Sequence, residues 1–327
     1  MFHNILNTMK VVIPGGSGAV GAAVKRHFVA AGHAVVILSR HATEGHVQWD
    51  GRTIGDWARE FNDADVVLNL AGRTVNCRYS EAHLKEMMDS RVESTRVVGQ
   101  AIARAKRPPP LWLQASTATI YAHRFDAPND EFTGIIGGQE PDVPALWKRS
   151  IDIALAWEEE LDAARTPGTR KVALRSAMVM SADKGSIFDV LSRLARRGLS
   201  GKIDGGRQYV SWIHEHDFCA ALDFLIAHPE IDGPVNLASP NPLPQAEFAQ
   251  VVREAWRVPI GLPLPAWMLE IGCFLMQTES ELVMKSRRVV PGRLLKAGFE
   301  FKFPEWRQAC KGLSTAPSTT PRLPTSY

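Results

Sequence analysis

A glycine-rich turn is the first stretch of this sequence whose residue types point to chemistry. Residues 10–21 read KVVIPGGSGAVG, in which Gly16, Gly18 and Gly21 match G-x-G-x-x-G, and Gly15, Gly18 and Gly21 match a looser G-x-x-G-x-x-G. Because glycine has no Cβ, backbone N–H groups in such a turn can approach a pyrophosphate at the N-terminus of the next helix. The spacing predicts a dinucleotide site, and the alternative is a glycine-rich loop without a ligand.

The segments on either side of the turn have the patterns that such a site requires. The run Val11-Val12-Ile13 is unbroken and apolar, which is typical of a central strand buried on both faces. After Gly18 the apolar residues follow helical spacing, and Gly32 supplies a stop signal. A strand, a glycine turn and a helix in this order favour nucleotide binding.

The end of the second predicted strand, Ala34–Leu38, carries information about the cofactor. An NAD site usually has an acidic residue here, which accepts hydrogen bonds from the ribose 2′-OH. This chain has Ser39 and then Arg40, and a guanidinium is suited to the 2′-phosphate of NADP. We therefore predict NADP(H) as the cofactor, with NAD(H) as the second choice, although a solvated surface arginine is the alternative.

Composition limits the class of protein. The net charge of +3 in 327 residues does not indicate a nucleic-acid partner, and 45% apolar with 22% charged residues is typical of soluble domains. The four cysteines lie far apart without a C-x-x-C pair, which argues against zinc and disulfides and fits a reducing cytosol. The N-terminus lacks the apolar core of a signal peptide, and the apolar segment 265–276 is too short for a bilayer. We expect a cytoplasmic protein with a small-molecule substrate, no nucleic acid and no membrane.

Strands and helices alternate over the first 180 residues, which predicts a doubly wound parallel α/β sheet of the Rossmann type. The expected organisation is a nucleotide-binding domain at 9–180, whose sheet later segments complete, a smaller C-terminal α/β substrate-covering region at 181–313, and flexible tails at 1–8 and 314–327. Four local expectations matter below: a long helix over 80–104, a loop over 122–146, a helix over 150–164 and one strand over 172–180.

Several motifs carry a family resemblance over nearly the whole chain. They are NLAG at 69–72, Ser90-Arg91 followed by Ser94-Thr95, STATIY at 116–121, Trp157-Glu158, GRQYVSWIH at 206–214 with Asp217, and VVPGRLLKAGFEFKFP at 289–304. On these motifs the sequence resembles the extended short-chain dehydrogenase/reductase (epimerase/dehydratase) superfamily. It is most similar to the YfcH-type epimerase-family branch, which has an extra C-terminal domain.

The resemblance implies a set of site residues. Arg91 would approach the cofactor or brace the turn, and an ordinary helix-surface arginine is the alternative. The C-terminal half would cover the nicotinamide end and select the substrate, and the helices at 80–104 and 150–164 would form a homodimer. The implied cofactor-binding residues are Gly15, Ser17, Gly18, Ala19, Val20, Gly21, Ser39, Arg40, Leu70, Ala71, Gly72 and Arg91, and the substrate candidates are Gln208, Trp212 and His214. For His214 a structural hydrogen bond is the alternative.

The catalytic dyad of the superfamily is absent from this sequence. Active members use a tyrosine and a lysine four residues later, but position +4 is His83 after Tyr79, Phe125 after Tyr121 and Ile213 after Tyr209, and Tyr327 ends the chain. When Trp157-Glu158 is used to set the register against the family pattern, the positions of the usual tyrosine and lysine fall near Ser150 and Ala154. The candidates for replacement are Ser116, Thr117 and Tyr121, with Lys148 nearby; the alternative is a packed Tyr121 and a solvated Lys148.

Two functional classes therefore stay open. The first is an NADP(H)-dependent oxidoreductase or epimerase-like enzyme that acts on an unknown small carbonyl or sugar-like substrate, since hydride chemistry resides in the cofactor. The second is a catalytically weak or inactive NADP(H)-binding redox sensor or scaffold.

Overall fold

A computed structural model describes residues 8–41, 43–141 and 143–316 of the chain. Strands and helices alternate along these residues. The strands are β1 (Lys10–Pro14), β2 (Ala34–Ser39), β3 (His46–Gln48), β4 (Val66–Asn69), β5 (Leu111–Thr117), β6 (Arg170–Ser176), β7 (Met178–Met180), β8 (Tyr209–Val210), β9 (Trp212–His214), β10 (Gly233–Leu237) and β11 (Leu243–Pro244). The helices are α1 (Ala19–Ala30), α2 (Glu81–Arg104), α3 (Ala145–Ala163), α4 (Ile187–Arg196), α5 (Glu215–Ala227), α6 (Gln245–Ala255), α7 (Ala266–Leu275), α8 (Glu281–Met284), α9 (Gly292–Lys296) and α10 (Trp306–Thr315).

A seven-stranded parallel sheet forms the centre of the molecule and confirms the predicted fold class. Its strand order is β10-β6-β5-β4-β1-β2-β3. The chain winds from β1 towards β3 on one side and then crosses to β4 on the other, so the winding direction changes between β1 and β4. In open α/β sheets, ligands bind in the crevice at the carboxyl ends of the strands at such a point.

Strand β1 is buried on both faces, which explains its unbroken apolar run. Val11 and Ile13 pack into the layer that contains α1 and α5, whereas Val12 packs into the layer that contains α2 and α3. All three side chains are fully buried. Burial of each side chain of this size contributes about 1.5–3 kcal/mol relative to exposure, so β1 is held firmly from both sides.

A second apolar core organises the C-terminal region. The Trp306 ring of α10 stacks on Phe248 of α6, with ring centroids 4.3 Å apart, and also contacts Trp212 of β9. Buried Asp217 of α5 accepts hydrogen bonds from the backbone N–H groups of Lys302 and Phe303. These contacts fix residues 302–306 against α5, α6 and β9.

Three local expectations differ from the structure. The strand expected over 172–180 is two strands: the N–H of Ala177 donates to the Leu237 carbonyl, and β7 then pairs with β9 in a separate two-stranded sheet. The helix expected from Ser150 already begins at Ala145, because Pro144 has a φ of −58° that suits a helix entrance, so the preceding loop is shorter. Helix α10 continues to Thr315, while most of the predicted tails, at 1–7 and 317–327, lie outside the described residues.

The close contact between the turn and the start of α1 generates the first prediction. A Cβ on Gly21 would lie 2.2 Å from the Gly16 carbonyl oxygen, so Gly21→Ala must displace the helix or the turn. We expect a loss of roughly 1–3 kcal/mol in the free energy of unfolding, measured by urea denaturation. The control is Gly272→Ala within α7, where a Cβ meets no atom within 4 Å and alanine favours the helix. Equal stability of Gly21→Ala and wild type would contradict the packing role.

Candidate cofactor and substrate site

The glycines of the turn divide into those that the fold requires and one that it does not. Gly15 has a φ of +72°, and a Cβ on it would lie 2.5 Å from the Ala71 Cα, while a Cβ on Gly16 would press on Ile37. In contrast, Gly18 has an ordinary φ of −79°, and a Cβ there would meet nothing within 4 Å. Neither conformation nor packing against the residues that the structure describes explains Gly18. The open side of the turn is therefore a place where a ligand can approach the backbone closely.

The N-terminus of α1 faces this open side. Gly18 is the N-cap, and no side-chain hydrogen bond caps the helix. Ser17 and Ala19 are exposed and Val20 is partly buried. The first N–H groups of a helix have no partner within the helix and carry a partial positive charge, so they suit a phosphate.

Two further loops border the crevice. Ser39 is buried at the end of β2, and Arg40 directly after it is exposed; within the described ranges no hydrogen bond or ion pair involves Arg40. On the other side, the N–H of Leu70 donates to the Pro14 carbonyl at 2.8 Å, which ties the loop after β4 to the turn after β1. Gly72 follows Ala71 and is exposed. The structure thus brings the sequence-predicted cofactor segments together around one crevice.

Arg91 braces the loop after β4. Its guanidinium donates to the carbonyl oxygens of Met87, one turn earlier in α2, and of Arg73 in the loop, at 3.0 and 3.1 Å. The same group lies over the Trp157 ring, 5.0 Å from its centroid. Burial lowers the pKa of Arg91 to about 10, so it carries its charge at neutral pH. These contacts brace the loop after β4 and not the glycine turn after β1, and the approach of Arg91 to the cofactor stays a prediction.

A cavity of about 100 Å³ lies at the carboxyl end of β5, between α2, α3 and α8. Thr117 of β5 lines it, and so do Ser150 and Ala154, the two positions that the Trp157-Glu158 register assigned to the missing dyad. The other lining residues are Val75, Tyr79, Met87, Arg91, Thr119, Ile153, Trp157, Glu281, Leu282 and Arg287.

A polar cluster forms one wall of this cavity. The Ser150 hydroxyl donates to Glu281 Oε2 at 2.5 Å, and the Tyr79 side chain lines the same cavity. Glu281 is 1% exposed and its Oε1 has no hydrogen-bond partner within the described part of the chain; Arg287 Nη2 lies 4.0 Å from it. Burial raises the pKa of Glu281, and burial together with the Glu281 charge raises that of Tyr79.

Two cations attach this C-terminal segment to the end of β5. Arg287 donates to Thr119 Oγ1 at 3.2 Å and to the carbonyl oxygens of Glu281 and Leu282. Lys285 Nζ donates to the Thr119 carbonyl at 2.7 Å, and burial lowers its pKa to about 8. The segment that carries Glu281 is therefore fixed against the sheet.

Two of the three candidate catalytic residues belong to a different network. Ser116 donates to Glu158 Oε1 at 2.5 Å, and Glu158 forms an ion pair with Arg175 at 2.7 Å. The Tyr121 hydroxyl donates to Asn236 at 2.9 Å and accepts from Arg175 at 3.0 Å. Both side chains are buried and neither lines the cavity, because their hydroxyl groups are engaged in cross-links between strands and helices. Only Thr117 reaches the cavity.

The remaining candidates also lie away from the cavity. Lys148 is exposed and pairs with Asp152 at 3.0 Å. Trp212 is fully buried against Trp306, and Gln208 donates to the carbonyl oxygens of Ile203 and Val283, both at 3.2 Å. The structure therefore places these substrate candidates in the packing of the C-terminal region.

His214 makes a structural hydrogen bond, which was the alternative to its predicted role in substrate binding. It is the N-cap of α5, where its Nδ1 accepts from the His216 N–H at 3.0 Å, and its ring stacks on Phe303 with centroids 4.0 Å apart. It lines a separate cavity of about 230 Å³ that shares no lining residue with the first. Burial, assisted by His216 and Lys302, lowers the pKa of His214 to about 4.

Sequence reasoning missed Tyr79, Glu281 and Arg287 as members of the site. Tyr79 has no lysine at position +4, and Glu281 and Arg287 stand in an apolar, proline-punctuated segment far from every motif of the sheet. The available signal was charge inside that segment: Glu279, Glu281, Lys285 and Arg287 follow closely after its most apolar helix.

A parallel doubly wound sheet with a glycine turn at its switch point defines a Rossmann-type nucleotide-binding protein. The sequence profile of the "NAD dependent epimerase/dehydratase family" matches residues 11–238, and that of a "Domain of unknown function (DUF1731)" matches residues 264–313. The chain belongs to the NAD dependent epimerase/dehydratase family, which confirms the resemblance drawn from the motifs.

Similar proteins span nearly the full length of the chain. The epimerase family protein SDR39U1 of Bos taurus is 31% identical over 309 residues, covering 93% of this chain and 99% of that protein. The epimerase family protein YfhF of Bacillus subtilis is 30% identical over 302 residues, covering 90% and 94%. The crystal structure of human SDR39U1 with NADPH superposes with a TM-score of 0.81 at 27% identity, covering 94% of this chain and 99% of that one. Within the described ranges, no helix combines the length and apolarity needed to cross a bilayer.

The burial of His214 generates a prediction about acid stability. The unfolded chain protonates this histidine below about pH 6.5, whereas the folded protein does so only below about pH 4, so the free energy of unfolding falls as the pH drops through this window. His214→Asn keeps an acceptor for the His216 N–H but cannot take up a proton. Between about pH 8 and pH 5 the wild type should lose about 2 kcal/mol more than the variant in urea unfolding. Parallel pH dependences would contradict this assignment.

Proposed function

We propose that this protein is an NADP(H)-dependent oxidoreductase or epimerase-like enzyme that acts on a small carbonyl or hydroxyl compound. The observation that carries the proposal is the open glycine cradle: a Cβ at Gly18 meets nothing, and the uncapped start of α1 faces the same space. The family match and the NADPH bound to human SDR39U1 in its crystal structure support the same cofactor.

In this proposal each border of the crevice holds one part of the dinucleotide. The N–H groups at the start of α1 bind the pyrophosphate, and Arg40, exposed beside buried Ser39, binds the 2′-phosphate. The loop Leu70–Gly72 passes along the backbone of the turn and borders the rest of the cofactor. When bound, the nicotinamide supplies or accepts a hydride.

The substrate end of the site is the cavity at the end of β5. Its lining combines apolar side chains such as Val75 and Leu282 with the hydroxyl groups of Thr117 and Ser150. A few polar groups in an apolar cavity orient a small ligand. This lining supports a small polar substrate, and the proposal leaves its identity to a screen of aldehydes, ketones and nucleotide sugars for NADPH oxidation.

One observation favours the second functional class, a redox sensor. Ser116 and Tyr121 are both engaged in the Glu158–Arg175 network, so these two candidate catalytic residues are not free at the cavity. The screen separates the two classes. Tight NADPH binding without turnover of any compound in the panel would favour the sensor, whereas a substrate with saturating kinetics would favour the enzyme.

The cellular setting proposed is a reducing one, such as the cytosol. Its support is that Cys77, Cys219, Cys273 and Cys310 are buried free thiols. Burial raises the pKa of Cys219 and of Cys310 to about 12, so neither forms a reactive thiolate readily.

Gly18→Ala tests the cradle without disturbing the fold. Because the new Cβ meets no atom within 4 Å among the described residues, the urea midpoint should stay within experimental error of wild type. The same Cβ would stand between the turn and the pyrophosphate, so we expect NADPH affinity, measured by calorimetry, to fall by about tenfold or more. Unchanged affinity in the folded variant would remove the main support for the dinucleotide site.

Arg40→Asp tests the choice of cofactor. A carboxylate would repel the 2′-phosphate and accept hydrogen bonds from an unmodified ribose 2′-OH. We expect NADPH affinity to fall by roughly tenfold or more and NADH affinity to rise, both measured by calorimetry. Arg59→Asp, on an exposed 3₁₀ turn, is the matched charge control and should leave both affinities unchanged. Equal NADPH affinity before and after Arg40→Asp would refute the assignment.

A further inference from the structure

The outward side of α7 exposes large apolar side chains that take no part in the site described above. Trp267, Ile271, Phe274 and Leu275 recur at the spacing of one helix face and are between 54% and 74% exposed. The opposite side of the helix is buried through Leu269. The helix is therefore apolar both on the side that faces the protein and on the side that faces away from it. Contact of the outward side with water costs free energy, which an apolar partner would relieve.

The apolar surface continues into the segments beside α7. Leu199, Ile260 and Leu262 are each more than half exposed. The N–H of Leu262 donates to the Gly198 carbonyl at 2.9 Å, which brings Leu199 beside the chain that leads into α7. We call these three residues and the outward side of α7 the α7 patch. An apolar patch of this extent on a soluble domain marks a surface for a protein or a membrane.

Basic residues stand at the edge of the α7 patch. Arg197 and Lys202 lie on either side of Leu199 in the chain, and Arg257 lies in the stretch that leads from α6 to α7. All three cations are exposed, and none of them forms an ion pair with a residue that the structure describes. The N–H of Leu264 donates to the Lys202 carbonyl at 2.9 Å, which holds this segment at the entrance of α7. The three charges are therefore free to meet anionic groups of a partner.

The balance of charge around the α7 patch is positive. Residues 196–204 and 253–276 carry five arginine and lysine residues against three aspartate and glutamate residues. Of the acidic residues, Glu254 is paired with Arg307, and Glu270 is the one charged residue of α7. An apolar surface with cations at its edge is complementary to anionic phospholipid, whose acyl chains lie below a layer of phosphate groups.

We propose that the α7 patch binds the surface of a membrane that contains anionic phospholipid. The apolar side chains of α7 enter the boundary between headgroups and acyl chains, and Arg197, Lys202 and Arg257 meet the phosphate groups. Trp267 suits this position, because indole rings favour the interface between water and acyl chains. The length of segment 265–276 excludes a membrane span but not a helix that lies in the surface, so this proposal replaces the expectation of no membrane. It does not depend on the proposed function.

A second copy of the chain fits the α7 patch less well. In a dimer with two-fold symmetry the patch would meet itself, so the same three cations of both copies would lie along one interface. Like charges at an interface oppose association. The patch is also the outward side of a helix and not a groove, and neither cavity described above is lined by a residue of 260–276. A fluid lipid surface requires no matching groove.

Flotation with lipid vesicles tests the proposal on the full-length protein. Wild type should float with vesicles of phosphatidylcholine that contain about 30% phosphatidylglycerol, and far less with phosphatidylcholine alone. Raising the salt concentration to about 0.5 M should weaken the binding, because salt screens the exposed cations. Failure of wild type to float with either kind of vesicle would overturn the proposal.

A matched pair of variants tests the apolar contact. Ile271→Asn combined with Leu275→Asn should lower the partition coefficient on the anionic vesicles at least tenfold. Val29→Asn combined with Leu295→Asn is the control, because these side chains are similarly exposed on α1 and α9, away from the patch, and it should leave the partition coefficient unchanged. The urea midpoint and NADPH affinity of both variants should match wild type, which shows that each is folded.

A second pair of variants tests the cations. Arg197→Gln combined with Lys202→Gln should lower the partition coefficient on the anionic vesicles by roughly tenfold or more. Arg165→Gln combined with Lys184→Gln is the control, because it removes two exposed charges elsewhere, and it should leave the partition coefficient unchanged. An equal loss in the control would reduce the binding to the net charge of the protein and would overturn the proposal.

Quenching by brominated acyl chains tests the orientation on the membrane. Trp267 is 65% exposed on the α7 patch, so vesicles with bromine on the acyl chains should quench part of the wild-type tryptophan emission. Trp267→Leu should lose that quenching while the protein still floats. Quenching that survives in Trp267→Leu would place a different face against the lipid and would overturn the proposal.

Two further results would assign the α7 patch differently. A wild-type dimer in sedimentation velocity without lipid, dissociated by Ile271→Asn with Leu275→Asn, would assign the patch to a second copy. Vesicle binding that this variant retains in full would be adsorption by charge alone. Either result overturns the membrane proposal and leaves the proposed function standing, since NADPH binding is measured separately.

Discussion

The approach of one backbone to another at the carboxyl end of β1 is the constraint on which the rest of this structure depends. Gly15 lies against Ala71, and Gly21 lies against Gly16, at distances where any Cβ would overlap main-chain atoms. These contacts bring the start of α1 down onto β1 and draw the loop after β4 over the turn. The crevice and the bracing role of Arg91 both follow from that geometry, because Arg91 holds the same loop from its other side.

Local patterns predicted the elements that build this crevice, whereas the junctions between elements required tertiary information. The unbroken run in β1 and the glycine turn are features of neighbouring residues, so the sequence revealed them directly. The break at Ala177 was hidden, because residues 172–180 continue to look like a strand while β7 leaves the main sheet and pairs with β9. What decides that break is the position of β9, which no local pattern contains.

The candidate site shows even more clearly the difference between what local patterns predict and what requires tertiary information. Thr117 was predicted because it ends a strand. Ser150 was noted only because it lies near the position where active family members have the catalytic tyrosine that this chain lacks. Ser116 and Tyr121 have the chemistry of catalytic groups, but their partners, Glu158 and Arg175, occupy their hydroxyl groups. Residue type alone cannot tell a free hydroxyl from an engaged one, since the distinction depends on which side chains face it in the folded state.

The C-terminal segment is best understood as part of the site and not as an appendage to the sheet. The family profile ends at residue 238, yet Glu281 and Arg287 from the second matched region complete the cavity that begins at β5. Placing a carboxyl group and the cations Lys285 and Arg287 in a buried position costs free energy that a purely covering role would not require. The segment also holds Tyr79 through Glu279. A region that shapes the cavity wall, holds the Tyr79 backbone and places a buried carboxyl group beside the cavity contributes to what the cavity can contact, while the sheet supplies the general dinucleotide-binding framework.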